Sequence, residues 1–135
     1  MLFIMKKTLA SIESFTGGLF ASEIVKKPGA SSFFKGSIVV YSNEIKEKLG
    51  IDVSNGVVNK ETALAMALAG KKFFNVDYCV SFTGNAGPFA IENKKVGLVY
   101  MAINDKVYEK QFRFKNRNWI RKKSVKFILK KIKKC

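Results

Sequence analysis

Short apolar runs of strand length alternate along this chain with segments patterned for helix, and that alternation restricts the available folds more than any other feature. Thr8 to Ile12 reads as a strand. Ser14-Phe15-Thr16-Gly17-Gly18 turns into a helix with Leu19, Phe20, Ile24 and Val25 on its apolar side, and Pro28-Gly29 stops it. After a Ser31–Phe34 turn, Gly36-Ser37-Ile38-Val39-Val40-Tyr41 is a continuous β-rich run, as expected of a strand buried on both faces. Ser42-Asn43 can cap a short helix through Leu49, and Asn59 can cap the alanine-rich stretch Glu61–Phe74. Tyr78–Phe82 is the next strand. It runs into Thr83-Gly84-Asn85-Ala86-Gly87-Pro88, read as a turn because of its glycines. Gly97–Ile103 and Val107–Phe114 follow as strands joined by Asn104-Asp105-Lys106. The last helix, Trp119–Ile132, sets Ile120, Val125, Ile128, Leu129 and Ile132 on one side and lysines on the other. The expected architecture is a three-layer α/β/α sandwich around a mixed, mostly parallel sheet.

At 135 residues, 47% of them hydrophobic, the chain fits one domain over 1–135. The apolar opening Met1–Met5 is followed at once by Lys6 and Lys7, and no run is long enough to span a membrane. A cytoplasmic protein without a membrane partner is expected. The two cysteines, Cys79 and Cys135, give neither a disulfide framework nor a metal-ligand spacing, so no metal is expected.

The chain has no histidine, which excludes Ser-His-Asp and Cys-His catalysis and imidazole metal sites. A hydrolase built on it must move protons with lysine, tyrosine or a carboxylate. The net charge of +15 raises nucleic acid as a partner. However, only three of the 25 cationic residues are arginine, the residue that reads phosphate with a bidentate fork. The lysine-heavy mix fits coding bias in an AT-rich genome better, so nucleic acid is the less favoured partner. The lysine side of the last helix reads first as a solvated face, and second as a membrane-surface or nucleic-acid helix.

Ligands of open α/β sheets bind beyond the carboxyl ends of the strands, where three polar or glycine-rich turns stand here. The first places Ser14 before a helix whose leading amides, around Thr16, Gly17 and Gly18, are expected to be unpaired and to face outward. Such amides could hold a phosphate, or an oxyanion beside an attacking Ser14. The second carries Tyr41, Ser42 and, five residues after Tyr41, Lys46; a lysine serves as a base only where burial or a neighbouring cation frees its amine. The third supplies the Thr83 hydroxyl and backbone donors from Gly84 to Gly87, Ala86 among them. Arg117, in the polar turn Lys115–Asn118, could clamp a phosphate or cap the last helix.

Together these segments form a recognisable pattern. Ile12-Glu13-Ser14-Phe15-Thr16-Gly17-Gly18 resembles A-E-S-C-T-G-G, Pro28-Gly29-Ala30-Ser31 resembles P-G-A-S, and Tyr41-Ser42-Asn43-Glu44-Ile45-Lys46 resembles Y-S-N-E-A-K. Thr83–Pro88 resembles T-G-I-A-G-P and Val96–Tyr100 matches V-G-L-V-Y. These are motifs of the C-terminal domain family of competence-damage-inducible protein A (CinA), in that family's order across nearly the whole chain. The resemblance implies a cofactor-independent amidohydrolase that converts nicotinamide mononucleotide to nicotinic acid mononucleotide and ammonia. It implies Ser14 as nucleophile, Lys46 as base and Tyr41 beside them. It also implies a substrate contact from Thr83, with Arg117 suited to the substrate phosphate, while the turns themselves offer Thr16, Gly17, Gly18, Ser42, Gly84, Ala86 and Gly87 as further substrate-binding residues.

The chain departs from that pattern at several points. Phe15 replaces cysteine, which is expected to narrow the pocket. Asn85 replaces isoleucine, Phe89-Ala90-Ile91 replaces a glycine-rich loop, Lys95 replaces a proline, and Arg117 sits in an altered setting. Most of the family's N-terminal helix is missing from the sequence, and the surface so uncovered leads to the expectation of a homo-oligomer. Two other readings stand beside the deamidase: a family member that binds a nucleotide or a protein partner without turnover, and a lysine-driven nucleic-acid binder.

Overall fold

A computed structural model of the chain describes residues 4–135. Residues 1–3, part of the apolar opening stretch, lie outside the described residues. A five-stranded sheet runs in the order β2-β1-β3-β4-β5, formed by β1 (Leu9–Glu13), β2 (Phe34–Val39), β3 (Tyr78–Gly84), β4 (Leu98–Ile103) and β5 (Lys106–Gln111). β1 pairs in parallel with both β2 and β3, while β3–β4 and β4–β5 are antiparallel. Four strands therefore share one direction and β4 alone runs against them. The sheet is mixed, as the hairpin in the sequence led us to expect.

The helices divide between the two faces. On one face, α1 (Leu19–Val25) and α4 (Arg117–Ile132) set Phe20, Ile24, Ile120, Val125 and Ile128 against Leu9, Val80, Phe82 and Met101, all buried. On the other, α3 (Lys60–Phe74) packs Met66 against Ala10, Ile12 and Cys79, and Ala63 and Ala67 against Ala102. The alternation of side chains along a strand makes this possible: Leu9 enters one cluster while Ala10 and Ile12 enter the other. Gly70 of α3 lies so close to the sheet that an added Cβ would meet Ile12 at 2.4 Å and Cys79 Sγ at 2.5 Å. A small residue is what lets the helix approach so closely.

Side-chain caps start three helices, at Ser42 and Asn59 as expected and at Asn116, which begins the last helix at Arg117 rather than at the expected Trp119. Ser42 accepts from Ile45 N before α2 (Asn43–Lys48), Asn59 from Thr62 N before α3, and Asn116 from Trp119 N before α4. Asn116 thus takes the capping role that Arg117 was offered.

Three expectations are corrected. β2 is an edge strand rather than one buried on both faces. Its residues are half-buried or exposed, and Val39 is 44% exposed. β2 stands at the margin of the sheet, where α3 covers it less than it covers the inner strands, so its run is not enclosed on both faces. Val25 lies outside the apolar stripe of α1, because in so short a helix Phe20 and Ile24 define the inward face and the next residue turns outward. β3 continues through Thr83 and Gly84 instead of turning there. Gly84 serves close strand approach: a Cβ on it would lie 2.7 Å from the Val99 side chain of β4.

Candidate active site

Because β1, β2 and β3 point the same way, their carboxyl ends open on one edge of the sheet, and the three turns converge there. They enclose a cavity of about 230 Å³ whose walls include Ser14, Phe15, Tyr41, Lys46, Thr83 and Arg117. Gly84, Ala86 and Gly87 also line it. Ser42 does not line the cavity; it caps α2. By starting that helix, it directs Lys46 inward one turn later.

Lys46 is the unusual group. Its side chain is buried, with Nζ donating to Ser14 Oγ at 2.8 Å and to the Tyr41 carbonyl at 3.1 Å. Neither acceptor is charged. Burial therefore pushes its pKa down from 10.5 to about 8, while the negative charge of Glu92 partly opposes the shift. With a pKa of about 8, roughly a tenth of the amine is unprotonated at pH 7, and the atom 2.8 Å away is a serine hydroxyl.

The amides at the start of α1 differ from expectation. The buried Glu13 carboxylate accepts from Thr16 Oγ1 at 2.7 Å, Gly18 N at 3.1 Å, Phe20 N at 3.1 Å and Ala21 N at 3.0 Å, and it also meets the Ser11 and Ser37 hydroxyls at 3.0 and 3.3 Å, which share a 2.7 Å hydrogen bond with each other. Gly17 N donates to the Ser14 carbonyl at 3.1 Å. The amides of Gly17 and Gly18 are thus occupied from within, and a side chain of the protein holds the anion position at the helix start. The Thr16 hydroxyl is likewise committed. Glu13 was legible only as part of a motif, since an acidic residue ending a buried strand gives no sign of where it points.

Tyr41 and Arg117 tie the turns together. Arg117, the first residue of α4, donates through Nη1 to the Gly87 carbonyl at 2.6 Å and through Nη2 to the Tyr41 hydroxyl at 2.7 Å. Beside the cavity, Arg117 and Arg121 border a cleft of about 320 Å³ that also touches Gly17. Arg121 is fixed by donating to the carbonyls of Phe15 at 3.1 Å and Thr16 at 2.8 Å. The Thr83 hydroxyl lines the cavity but gives its proton to the Val57 carbonyl at 2.7 Å.

The departures from the motif are accommodated. Phe15 is 5% exposed, its ring belonging to the core even as it borders the cavity. Asn85 is buried and orders its own loop, accepting from Gly87 N at 3.2 Å and donating to the Lys94 carbonyl at 3.0 Å. Phe89, 81% exposed, and Ile91 stand at the cavity wall. Sequence reasoning missed Glu92, whose carboxylate accepts from Val57 N at 2.8 Å and Val58 N at 3.0 Å. It latches the Phe89–Ile91 loop to the segment that Thr83 holds. A lone glutamate in a surface loop carried no signal for this.

The family model for the CinA C-terminal domain matches residues 1–135. The chain belongs to the CinA C-terminal domain family. It is 44% identical over 129 residues to a CinA-like protein of Endomicrobium trichonymphae, covering 89% of this chain and 30% of that protein. It is 38% identical over 135 residues to a Listeria welshimeri relative named as competence-damage inducible, covering 93% and 32% respectively. The chain therefore spans about a third of the length of the curated relatives it matches. The crystal structure of the competence/damage inducible protein CihA from Agrobacterium tumefaciens superposes with a TM-score of 0.87 at 29% identity, over 93% of this chain and 83% of that one. A CinA superfamily protein from Klebsiella pneumoniae gives a TM-score of 0.90 at 20% identity, over 95% and 86%, a likeness of fold. Among the described residues no helix is long and apolar enough to cross a membrane.

Proposed function

We propose that this CinA-family domain is an amidohydrolase that converts nicotinamide mononucleotide to nicotinic acid mononucleotide and ammonia, with Ser14 as nucleophile and Lys46 as general base. The observation that carries this reading is the 2.8 Å hydrogen bond between Lys46 Nζ and Ser14 Oγ at the wall of a cavity. A buried amine with a pKa near 8 and no carboxylate in hydrogen-bond contact is suited to take a hydroxyl proton and return it.

In the first half-reaction, neutral Lys46 takes the Ser14 proton while Oγ bonds to the carboxamide carbon. The C–N bond then breaks, and the departing amine leaves as ammonia with the proton from Lys46. In the second half-reaction, water gives a proton to Lys46 and attacks the ester, and Ser14 is released with its proton restored. With the Gly17 and Gly18 amides engaged, donation to the oxyanion falls to the amide of Phe15, directly after the nucleophile, and to the Ala86 loop. Arg117, which bonds Tyr41 and Gly87, is the cation suited to the substrate phosphate, with Arg121 in the adjoining cleft.

Ammonia release from nicotinamide mononucleotide by the wild type and Ser14→Ala, measured side by side, tests this reading. Release by the wild type alone supports it. Equal release by both removes Ser14 from the mechanism, and release by neither, with the nucleotide still bound, leaves a binding domain.

A further inference from the structure

The positive charge of this protein is not spread along the chain. Residues 1–105 carry 12 Lys and Arg against nine Asp and Glu, whereas residues 106–135 carry 13 against Glu109 alone. Coding bias would enrich lysine throughout; it does not explain one segment holding nearly all of the net charge.

The fold gathers that segment on one face. Lys106, Tyr108 and Lys110 alternate along β5 toward α4, where Lys123, Lys126 and Lys130 form a single helical stripe. Between the cations lie half-buried aromatic rings. Lys106 and Lys131 stand 5.5 and 5.3 Å from the Tyr108 ring, Lys110 and Lys131 stand 5.0 and 5.4 Å from Phe127, and Lys123 stands 5.4 Å from Trp119. Edge contacts join Tyr108 to Phe127 and Phe112 to Trp119. Two grooves of about 170 and 360 Å³ follow the β5–α4 seam, and neither shares a residue with the active-site cavity. Of nearby carboxylates, Asp105 borders the end of the second groove, and Glu109 is hydrogen-bonded to Tyr100 on the opposite side of the sheet. Among the described residues the one ion pair, Lys26–Glu23, lies at the C-terminal end of α1.

We infer that the β5–α4 face is a binding surface for single-stranded nucleic acid, separate from the proposed deamidase site and independent of that reading. Lysines at this spacing present point charges to successive phosphates over about 12 Å of helix, and those that now lie over the rings uncover the ring faces, on which unpaired bases stack, when they swing out to meet phosphate. The three arginines lie outside the grooves, so the face lacks the bidentate fork that reads base edges, and recognition is indifferent to sequence. A membrane fits less well, because the apolar side of α4 is already spent in the core: Ile120, Val125, Ile128 and Ile132 are at most 2% exposed.

The test is fluorescence anisotropy with a labelled oligothymidylate of about 15 nucleotides, between about 50 and about 200 mM salt. Binding at low salt is expected, with weaker binding to a duplex of the same length. The triple variant Lys123→Gln/Lys126→Gln/Lys130→Gln weakens it about tenfold or more and flattens the salt slope by about 2. Lys60→Gln/Lys71→Gln/Lys72→Gln, which removes equal charge from α3 on the other face, changes affinity about twofold at most. Phe127→Leu weakens binding several-fold without altering the slope, as loss of stacking requires. The inference is overturned by no binding at low salt, by equal losses in the two triple variants, by tighter binding to duplex, or by capture on phosphatidylserine vesicles where the oligonucleotide does not bind. Thermal melts confirm that each variant is folded.

Discussion

Glu13 and Lys46 are both buried charged side chains at the carboxyl edge of the same sheet, and the protein treats them in opposite ways. Glu13 is surrounded by donors: its carboxylate accepts four hydrogen bonds from the Thr16–Ala21 turn and α1, and the hydrogen-bonded Ser11–Ser37 hydroxyl pair lies against it. Lys46 has two uncharged acceptors, one of which is a serine hydroxyl facing a cavity. A buried charge that is fully satisfied holds architecture in place, whereas one left short of partners is ready to change its protonation state. The motif that contains Glu13 and Ser14 thus encodes a support and a reacting group in adjacent positions.

Substitutions can break this contrast. The largest effect is expected at Lys46. Lys46→Met lowers kcat for ammonia release by about 10⁴-fold, as loss of a base from a nucleophile–base pair does. The same variant gains stability, by about 1 kcal/mol at neutral pH in urea denaturation, because the folded state no longer holds a cation in a poorly solvating site. The sign follows from the shift. The folded-state pKa of Lys46 lies below the ordinary 10.5, so between about pH 8 and 10.5 the unfolded chain binds more protons and stability rises with pH. Below about pH 8 the full penalty applies, and there the gain from methionine is greatest.

Glu13→Ala is expected to do the reverse, costing about 3–5 kcal/mol of stability because buried donors around α1 lose their acceptor. A small loss would mean that water replaces the carboxylate and that the helix start does not depend on it. Arg117→Lys comes next, raising KM about tenfold with little change in kcat, since lysine cannot hold both the Tyr41 hydroxyl and the Gly87 carbonyl while meeting a phosphate. The smallest effect belongs to Glu92→Gln. Removing a negative charge that supports protonated Lys46 moves the pH–rate limb to lower pH by less than about one unit, while the amide keeps an acceptor for Val57 or Val58.

Much of the fold is legible in the sequence because it rests on local signals. The Ser42 and Asn59 caps, the alanine-rich α3 and the Asn104-Asp105 hairpin are each written within a few residues of where they act. The edge position of β2 and the extension of β3 through Gly84 are not, because they depend on which strands become neighbours. The same division runs through the site. Ser14, Lys46 and Arg117 stand in a readable pattern, but that Lys46 is buried against Ser14 is a property of packing, as is the filling of the Gly17–Gly18 amides by Glu13. Glu92 acts across the 35 residues that separate it from Val57 and leaves no local trace.

The central claim is that Lys46 works as a neutral amine on Ser14, and the pH dependence of kcat/KM for ammonia release from nicotinamide mononucleotide tests it most directly. A rate that rises to a plateau with an apparent pKa near 8, and a limb absent from the residual activity of Lys46→Met, is the predicted result. Full activity with a flat profile between pH 6 and 9, or an unchanged limb in Lys46→Met, would contradict it.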